Sequence, residues 1–521
     1  MKLKTWHFIF LLALITLGFR IFQLSADPPS NFSWSGGEFA DEGYWSHNAR
    51  NSVLFGNALQ DEWDARVVSP IFAAWQWFSF YLFGVGLVQV RIIGIVSSIL
   101  ISITIFFLMK KQFDDQISFF CAALVSLCYP MLVLGRQGLL DPFAAALACL
   151  AILFATSESP LVLFLSGVFL VAACITKYLM IFVVVPIFIS LQPGAGKKWL
   201  PFLIGAVLSI STWLFADYVP NHHLIASYGS YYSSQQSWQL TAVVKNIVLQ
   251  PFYLYFIKTP AILFFGNLML WYFLADRDRA NTAEKVLWYW LICGIIVFAL
   301  WRYRPIRYYT SLIPPLGCLA GLALIRTREL SEAIRRRPVV WIGLAIPALQ
   351  ILFVLADRAL QWNLVPVQLG IQTLDAVLFL LLTISAFFLF RKPVSVFFAF
   401  FLVFLAGDMW NFVNWQIHPE YQAVTISSDL QKRIGNGVVA GQWAPELCLE
   451  NRVRAVPVWY GFVNSKSPFQ RYGISHLLVW RYALGGEKFE EWYPEDFKNF
   501  EPVTRYTIKD SELILYERRK R

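Results

Sequence analysis

Long apolar runs separated by short polar connectors dominate the chain up to about residue 418. A helix needs about 20 mainly apolar residues to cross a bilayer. The runs predict about thirteen membrane-spanning helices, at 6–24, 89–109, 116–134, 140–156, 160–176, 178–192, 199–216, 258–275, 286–301, 307–325, 339–356, 371–390 and 394–408. The first run follows Lys2 and Lys4. Its long core has no small-residue cleavage site after it, which favours a retained anchor over a signal peptide.

The segment 70–87 is also apolar, but it is rich in aromatic residues and is interrupted by Pro70 and two glycines. It is either a further span or a helix that lies in the membrane interface. If it does not cross, the short basic connectors fall on the same side as Lys2 and Lys4, as the positive-inside rule requires. The basic tail Arg518–Arg521 then lies outside, and distant charges of this kind contribute little to orientation. We therefore predict an interfacial helix, an inner N-terminus and an outer C-terminus.

Composition agrees with a membrane protein. Hydrophobic residues make up 57% of the chain and charged residues only 15%, whereas soluble domains average about a quarter charged. The 43 Lys and Arg exceed the 33 Asp and Glu and give a net charge of +10. In a soluble protein this excess would indicate nucleic acid, but here it follows from the basic connectors. Six of the seven cysteines lie in apolar runs without a CxxC or Cys/His cluster, so neither a disulfide framework nor a zinc site is indicated.

The pattern changes near Pro419, where short β-prone runs alternate with helix-like stretches. The β-prone runs are Gly437–Gly441, Arg454–Trp459, His476–Trp480 and Leu513–Tyr516, and the helix-like stretches are Ala444–Glu450 and Gly486–Phe497. This alternation is typical of a small α/β domain. The predicted fold class is thus a polytopic α-helical membrane protein, with a membrane part over 1–418 that includes an outer loop over 25–88. A soluble, extracytoplasmic α/β domain follows over 419–521.

Ionisable residues are almost absent from the middle of the spans and gather at their predicted outer ends. A proton-coupled transporter more often has acids at mid-membrane, so we expect the functional surface at the outer mouth of the bundle. The sharpest feature there is the acidic pair Asp41-Glu42, followed by Tyr44 and Trp45. Asp41 could cap a helix over 42–55 with Glu42 in its first turn. A cap alone does not explain an acidic pair beside aromatic residues near the membrane.

Asp41-Glu42-Gly43-Tyr44, continued by His47 to Asn51, resembles the acidic motif in the first outer loop of GT-C glycosyltransferases. The likeness is to the branch of protein O-mannosyltransferases and aminoarabinose transferases, glycosyltransferase family 39 and its relatives. Over about residues 1–325, four further stretches resemble motifs of that branch in order: Ser69-Pro70 with the aromatic segment after it, Arg91 to Val96, Arg136 to Asp141, and Thr176-Lys177-Tyr178 together with Arg307 to Pro315. Two positions depart from the pattern. Ser69 replaces the first of two prolines, and Gly43-Tyr44 replaces the usual Ala-Arg.

The resemblance implies transfer of a sugar from a polyprenyl-phosphate carrier to an acceptor hydroxyl or amine, with inversion at the anomeric carbon. Such a reaction needs one carboxylate base for the acceptor proton and cations for the phosphate. It needs no general acid, because the departing phosphate is a stable anion, whereas a glycosidase requires two carboxylates that flank the bond. By resemblance, Asp41 is the base and Glu42 is its partner or an acceptor-positioning group.

By the same resemblance, Arg136, Lys177 and Arg307 bind the donor phosphate, with Lys258, Arg302 and Arg304 in reserve. Each of these cations could instead extend its head group to the interface. Asp141 is a second acidic site, or else the N-cap of the span 140–156.

Tyr44 and Trp45 could stack on sugar or lipid, or anchor the protein in the aromatic belt. A divalent metal held by Glu42 with His47, His222 and His223 stays open. Their spacing matches no zinc signature, however, and we predict no metal ligand.

The sequence therefore predicts a membrane-bound inverting glycosyltransferase, a hexosyl- or pentosyltransferase, at the outer face of the plasma membrane. Its partners would be a polyprenyl-phosphate sugar donor, a lipid, glycan or protein acceptor and membrane lipids, with no nucleic acid. A polyprenyl-linked oligosaccharide ligase and a lipid-carrier flippase or transporter are the alternatives. The α/β domain could also have a binding or scaffold role.

Overall fold

A computed structural model of the chain describes residues 4–30, 32–33, 35–191, 196–234, 236, 239–248, 258–276, 280–301, 303–336, 338–361, 394–482, 485–509 and 511–519. The predicted span 371–390 and the reserve cation Arg302 lie outside these residues.

Helices make up almost all of the described chain before residue 418. They are Thr5–Ile21, Asp41–Phe55, Ala65–Val68, Pro70–Phe83, Leu87–Lys110, Asp115–Leu127, Tyr129–Leu134, Leu140–Ala155, Pro160–Thr176, Val184–Leu191, Gly196–Trp213, His222–Ser233, Leu240–Val248, Pro260–Ala275, Thr282–Ala299, Ile313–Ile325, Thr327–Arg336, Pro338–Ala359 and Val394–Ile417. Short 3₁₀ turns at Gly37–Phe39, Tyr178–Val183 and Ile306–Leu312 and a π turn at Leu214–Tyr218 complete this part.

Four described helical segments are long and apolar enough to cross a membrane, namely Leu87–Lys110, Gly196–Tyr218, Thr282–Ala299 and Ile306–Ile325. Several other predicted spans are shorter apolar helices, among them Thr5–Ile21 and Pro160–Thr176. The run 116–134 is divided into two helices at Cys128, because Pro130 lies in the first turn of the second helix and cannot continue the first. The count of about thirteen crossings and the orientation of the termini stay predictions.

The aromatic segment that follows Ser69 forms one helix, Pro70–Phe83, which ends at Gly84. Its 14 residues span about 21 Å at 1.5 Å per residue, less than the roughly 30 Å of a bilayer core. Trp77 and Tyr81 are exposed, whereas Phe72 and Phe80 are buried against the protein. A short helix with one exposed aromatic face is typical of the interfacial arrangement that the sequence predicts.

A six-stranded sheet occupies the C-terminal part. Its strands are β1 (Val438–Ala440), β2 (Arg454–Val456), β3 (His476–Tyr482), β4 (Gly485–Gly486), β5 (Phe500–Ile508) and β6 (Ser511–Arg518), in the order β2-β1-β3-β6-β5 with β4 beside β3. β1 runs parallel to β2 and β3, and β6 is antiparallel to β3 and β5.

Helices Gln422–Ile434, Ala444–Leu447, Pro468–Tyr472, Phe489–Trp492 and Pro494–Phe497 accompany the sheet. Side chains alternate between its two faces, so Leu478 packs in one apolar cluster and Leu477 in another. The predicted strands correspond to β1, β2, β3 and β6. β5 was not predicted, because its middle is polar and mostly exposed. We call residues 422–519 the C-terminal unit; the domain boundary at 418/419 stays a prediction.

Buried polar contacts join the C-terminal unit to the outer loop. The guanidinium of Arg50 is fully buried and donates to the carbonyl oxygens of Cys448 at 2.9 Å, Asn451 at 3.0 Å and Val453 at 2.7 Å. The amide of Gly43 donates to a carboxylate oxygen of Glu446 at 2.5 Å. The helix that begins at Asp41 thus packs between the membrane part and the C-terminal unit.

Candidate active site

A cavity of about 1710 Å³ lies where the outer loop, the ends of several helices and the C-terminal unit meet. Typical small-molecule pockets have volumes of about 300–1,000 Å³, so this one has room for two substrates. Its described lining falls into three zones. One zone is aliphatic, one is a charged centre that contains Asp41, Asp141, Lys177 and Arg307, and one is aromatic.

Asp41 is the first residue of the helix Asp41–Phe55, and its side chain does not cap that helix. The N-cap position belongs to Ala40, and no side chain accepts a capping hydrogen bond there. The Asp41 side chain instead lines the cavity and is 22% exposed, with one carboxylate oxygen 2.9 Å from Nη2 of Arg307. The sequence pattern predicted the helix, and its first turn aims the carboxylate at the cavity.

Arg307 is held by a distant segment of the outer loop and by Tyr303, four residues before it. It lies in the 3₁₀ turn Ile306–Leu312, and its Nη1 donates to the hydroxyl of Ser35 at 3.0 Å and faces a carboxylate oxygen of Glu38 at 3.4 Å. Its Nη2 also donates to the Tyr303 hydroxyl at 3.2 Å. A Cβ atom at Gly37 would collide with the guanidinium, so only glycine allows this approach.

Lys177 and Asp141 form a direct ion pair beside Arg307. Lys177 follows the helix Pro160–Thr176, and Asp141 lies in the first turn of Leu140–Ala155, whose N-cap is Leu139. The Lys177 ammonium sits 3.6 Å from the centre of the Tyr308 ring, a cation–π contact. The second oxygen of Asp141 is 4.0 Å from Nε of Arg307, so the two cations share one cluster.

Acids outnumber bases in this centre. Glu38, Asp41 and Asp141 surround Arg307 and Lys177. Burial raises the pKa of the Asp41 carboxyl from 3.8 to about 6. The positive charge of Arg307 opposes this rise in pKa, and the negative charges of Glu38 and Asp141 add to it. Asp41 is thus a carboxylate at neutral pH that takes up a proton more readily than an exposed aspartate.

The structure does not bring Glu42 to the cavity. Its side chain is buried and pairs with Arg91, whose Nη2 lies 2.6 Å from Oε2 and whose Nε lies 3.0 Å from Oε1. The amide of Gly138 donates to the same carboxylate at 2.6 Å. Asp41 and Glu42 are neighbours on a helix and point in different directions, so Glu42 joins the outer loop to the helix Leu87–Lys110 and to the connector after Arg136.

Arg136 is also turned away from the Asp41 centre. Its buried guanidinium donates to the carbonyl of Gln23 and lies 4.9 Å from the ring of Trp415. The reserve cations Lys258 and Arg304 are buried and do not line the cavity either. Of the phosphate-binding residues predicted from the sequence, the structure places Lys177 and Arg307 beside Asp41.

The predicted stacking residues Tyr44 and Trp45 line the cavity, together with aromatic residues that the sequence did not single out. Tyr44 packs edge-on against Trp63 at 5.6 Å and against Trp459 of the C-terminal unit at 6.4 Å. Sequence reasoning also missed Glu38, Ser35, Tyr303 and Lys509. Glu38 lies three residues before Asp41, so its closeness to the acidic pair could be read from the sequence. Nothing in the sequence connects Lys509 with this loop.

No group of three or more His, Cys, Asp or Glu side chains is arranged to hold a metal ion in the part of the chain that the structure describes. His47 is buried, with Nε2 2.8 Å from Asp61 and 3.0 Å from Asn51. His222 and His223 are exposed. Among the described residues, Arg307 and Lys177 are the cations that contact the Asp41 and Asp141 carboxylates.

Comparison with known proteins bears on the family resemblance and the fold. Residues 67–215 match the model of a family described as dolichyl-phosphate-mannose-protein mannosyltransferase. The chain contains a domain similar to that of this family. The resemblance recognised in the sequence is confirmed at this level. The matched region includes Asp141 and Lys177 but not Asp41 or Arg307. No curated protein sequence matches the chain.

Solved structures extend the likeness to the whole chain. The crystal structure of ArnT from Cupriavidus metallidurans bound to undecaprenyl phosphate matches with a TM-score of 0.60 and 16% identity, over 98% of this chain and 97% of that one. The apo structure of the same ArnT matches with 0.60 and 17% over 97% of both chains. The archaeal oligosaccharyltransferase AglB from Archaeoglobus fulgidus gives a TM-score of 0.43 at 10% identity, over 98% of this chain and 74% of that one. The protein shares the helical, largely membrane-type fold of ArnT.

Proposed function

We propose that the protein is an inverting glycosyltransferase that moves a sugar from a polyprenyl-phosphate donor to an acceptor at the outer face of the plasma membrane. One observation carries the proposal: a partly exposed carboxylate, Asp41, shares a cavity with Arg307 and Lys177, and the rest of the lining is largely aliphatic and aromatic. The matching family model and the ArnT fold support the same reaction class.

Asp41 is the base because it is the most accessible acid of the centre. Its side chain is 22% exposed, against 5% for Asp141, 1% for Glu38 and 1% for Glu42. The acceptor oxygen or nitrogen attacks the anomeric carbon as its proton passes to Asp41, and the bond from that carbon to the phosphate oxygen breaks. The departing phosphate leaves as an anion, so no acid has to protonate it.

Arg307 and Lys177 stabilise the charge that develops on the phosphate. Their carboxylate partners hold them in place before the donor arrives, which removes reorganisation from the reaction step. A bound phosphate adds negative charge next to Asp41 and raises its pKa further, so donor binding strengthens the base. Asp141 acts here as a positioning residue for Lys177.

The aliphatic wall suits the isoprenoid of the carrier. It is built from the helix Pro160–Thr176, the 3₁₀ turn Tyr178–Val183 and the helix Gly196–Trp213, and it includes Leu170, Ile181 and Ile210. Ile181 is 55% exposed and Ile210 is 44% exposed, as expected for a groove that opens toward the lipid. A polyprenyl chain that lies along this wall leaves its phosphate at the cations.

The reaction is tested in liposomes that contain the full-length protein, a polyprenyl-phosphate monosaccharide with a labelled sugar, and a lipid and glycan extract as acceptor. The assay follows free polyprenyl phosphate and transferred label. We expect Asp41→Asn to lower turnover by about 10²–10⁴-fold while donor binding persists, and the exposed-acid control Glu501→Gln to behave like the wild type. Normal turnover by Asp41→Asn would reject the mechanism, and carrier movement across the bilayer without transfer would favour a flippase.

A further inference from the structure

The aromatic wall of the cavity is contiguous with the proposed base. Tyr44 lies one helical turn after Asp41, and its ring contacts Trp459. Trp459 contacts Phe462 at 5.8 Å, and Phe462 stacks on Tyr231 with ring centres 4.1 Å apart and an angle of 19°. Trp459, Phe462 and Tyr231 are half-buried, so part of each aromatic side chain is free to contact a ligand.

We infer that this wall binds the acceptor and that the acceptor is a neutral carbohydrate. This inference rests on the proposed function, since it assigns the second substrate of the same cavity. The C–H faces of a pyranose ring carry a small positive charge, and the faces of aromatic rings carry a negative one. Tyrosine and tryptophan rings therefore hold a sugar without the need for an ion pair.

Charge on the lining supports a neutral ligand. In the described part of the cavity, the charged side chains are the four of the centre and Lys509. The Lys509 ammonium donates to the backbone carbonyls of Ser33 and Ser35, so it is already engaged. The aromatic wall thus offers no described cation to a phosphorylated acceptor.

Uncharged polar groups at this wall match sugar hydroxyls. Gln442 and Ser511 line the cavity from the C-terminal unit. Tyr44 also lines the cavity, and its buried hydroxyl has no hydrogen-bond partner among the described residues. The wall therefore combines stacking surfaces with neutral hydrogen-bonding groups, as carbohydrate recognition requires.

Binding is measured on the full-length protein in nanodiscs without donor, so that no turnover occurs. The probes are neutral trisaccharides of glucose, mannose and galactose and an uncharged serine-containing decapeptide, each at millimolar concentration. Saturation transfer from protein aromatic protons to ligand protons reports contact and affinity. We expect at least one trisaccharide to bind and the decapeptide not to bind.

Three variants locate the site. Trp459→Ala should weaken trisaccharide binding at least tenfold, and Trp459→Phe, which keeps a ring and guards against misfolding, should weaken it less. Trp410→Ala removes a tryptophan that is 67% exposed outside the cavity and should leave binding unchanged. Absence of binding by every trisaccharide, or equal binding by Trp459→Ala and the wild type, would overturn the proposal. Binding of the decapeptide that depends on Trp459 would assign a peptide acceptor instead. Because no donor is present, failure of the transfer assay and failure of this binding are separate results.

Discussion

Asp41 occupies a site in which burial and neighbouring acids favour its neutral form, while Arg307 favours its charged form. The result is a carboxyl group with a pKa of about 6. A base must be deprotonated to accept a proton, so the active form exists above this pKa. A catalytic base works best when its pKa is near the working pH, and the environment of Asp41 moves it in that direction.

The first prediction is an acidic limb in the pH profile of transfer. We expect kcat/KM to fall as the pH drops through about 6, by about tenfold per pH unit below that value. The limb in kcat should lie at higher pH, because the donor phosphate raises the pKa of Asp41 in the complex. Initial rates measured from pH 4.5 to 8, with unfolding temperatures as a control, test this. A limb near the pKa of an exposed aspartate would contradict it.

The second prediction concerns Glu38, whose negative charge raises the pKa of Asp41. Glu38→Gln removes that charge and keeps the shape of the side chain. The pKa of Asp41 should fall, and the acidic limb should move to lower pH by roughly one unit or less. Glu38→Gln also removes a partner of Arg307. A shift of the acidic limb to higher pH would mean that weaker positioning of Arg307 affects the pKa of Asp41 more than the lost negative charge does. The pH profile of Glu501→Gln serves as the matched control, since Glu501 is exposed on β5.

Individual site residues were predictable to different degrees. Lys177 and Arg307 each combine a charged side chain with the end of an apolar run, whereas Asp41 belongs to the acidic motif of the outer loop. The structure places these three residues in one cluster with Asp141. Glu42 has the same sequence features as Asp41 but pairs with Arg91, 49 positions further along the chain. Which partner a charge selects depends on helix packing, and that information is not local in sequence.

At the scale of elements, the close contact between two helices explains why position 43 is a glycine. Asp41–Phe55 and Ala444–Leu447 approach so closely that a Cβ atom at Gly43 would overlap the backbone of Glu446. This position departs from the family pattern noted in the sequence. The contact gives the departure a physical reason, because the C-terminal unit packs on the helix that carries the proposed base.

The third prediction follows from this contact. Gly43→Ala should push the two helices apart, lower the unfolding temperature and reduce transfer, since overpacking costs about 1–3 kcal/mol. Gly18→Ala is the matched control, because nothing lies within 4 Å of a Cβ atom at Gly18. Calorimetry or fluorescence-monitored unfolding in detergent compares the two variants. Equal unfolding temperatures and equal transfer would contradict close packing of these two helices at Gly43.

The observed boundaries of the helices show how far the hydrophobic pattern predicts secondary structure. It predicted apolar helices at most of the places where the structure has them, but it missed the 3₁₀ turns Tyr178–Val183 and Ile306–Leu312 at the start of two predicted spans. The first of these turns follows Lys177 and the second contains Arg307. The irregular backbone therefore lies at the proposed site. A turn of this kind keeps the apolar composition of a span, and composition alone does not distinguish it from an α-helix.

At the scale of the whole molecule, the C-terminal unit forms part of the proposed active site. Trp443, Trp459 and Lys509 of this unit line the same cavity as Asp41. Arg50 of the outer loop has its described hydrogen bonds to carbonyls of this unit. Deletion of residues 419–521 would leave that guanidinium without these partners, so loss of activity after the deletion would not by itself show a role in recognition. A point substitution in the C-terminal unit can distinguish a loss of stability from a direct effect on the reaction.

Lys509 offers that substitution, and it carries the fourth prediction. Its ammonium holds the carbonyls of Ser33 and Ser35, and the Ser35 hydroxyl accepts a hydrogen bond from Arg307, which pairs with Asp41. Hydrogen bonds from a charged donor contribute about 1.5–3 kcal/mol each. Lys509→Met should therefore loosen Arg307 and lower kcat by at least tenfold. Because Arg307 lowers the pKa of Asp41, the acidic limb of the pH profile should also move to higher pH.

Two control variants test whether the effect depends on the position and the charge of Lys509. Lys466→Met removes an exposed lysine of the same unit and should leave both kcat and the pH profile unchanged. Lys509→Arg keeps the donors and should restore part of the rate. If Lys509→Met lowers the unfolding temperature but leaves the pH profile where it was, Lys509 only stabilises the docked unit. A shift of the acidic limb at unchanged unfolding temperature would instead link Lys509, in the turn between β5 and β6, to the protonation of Asp41 across the interface between the two parts of the chain.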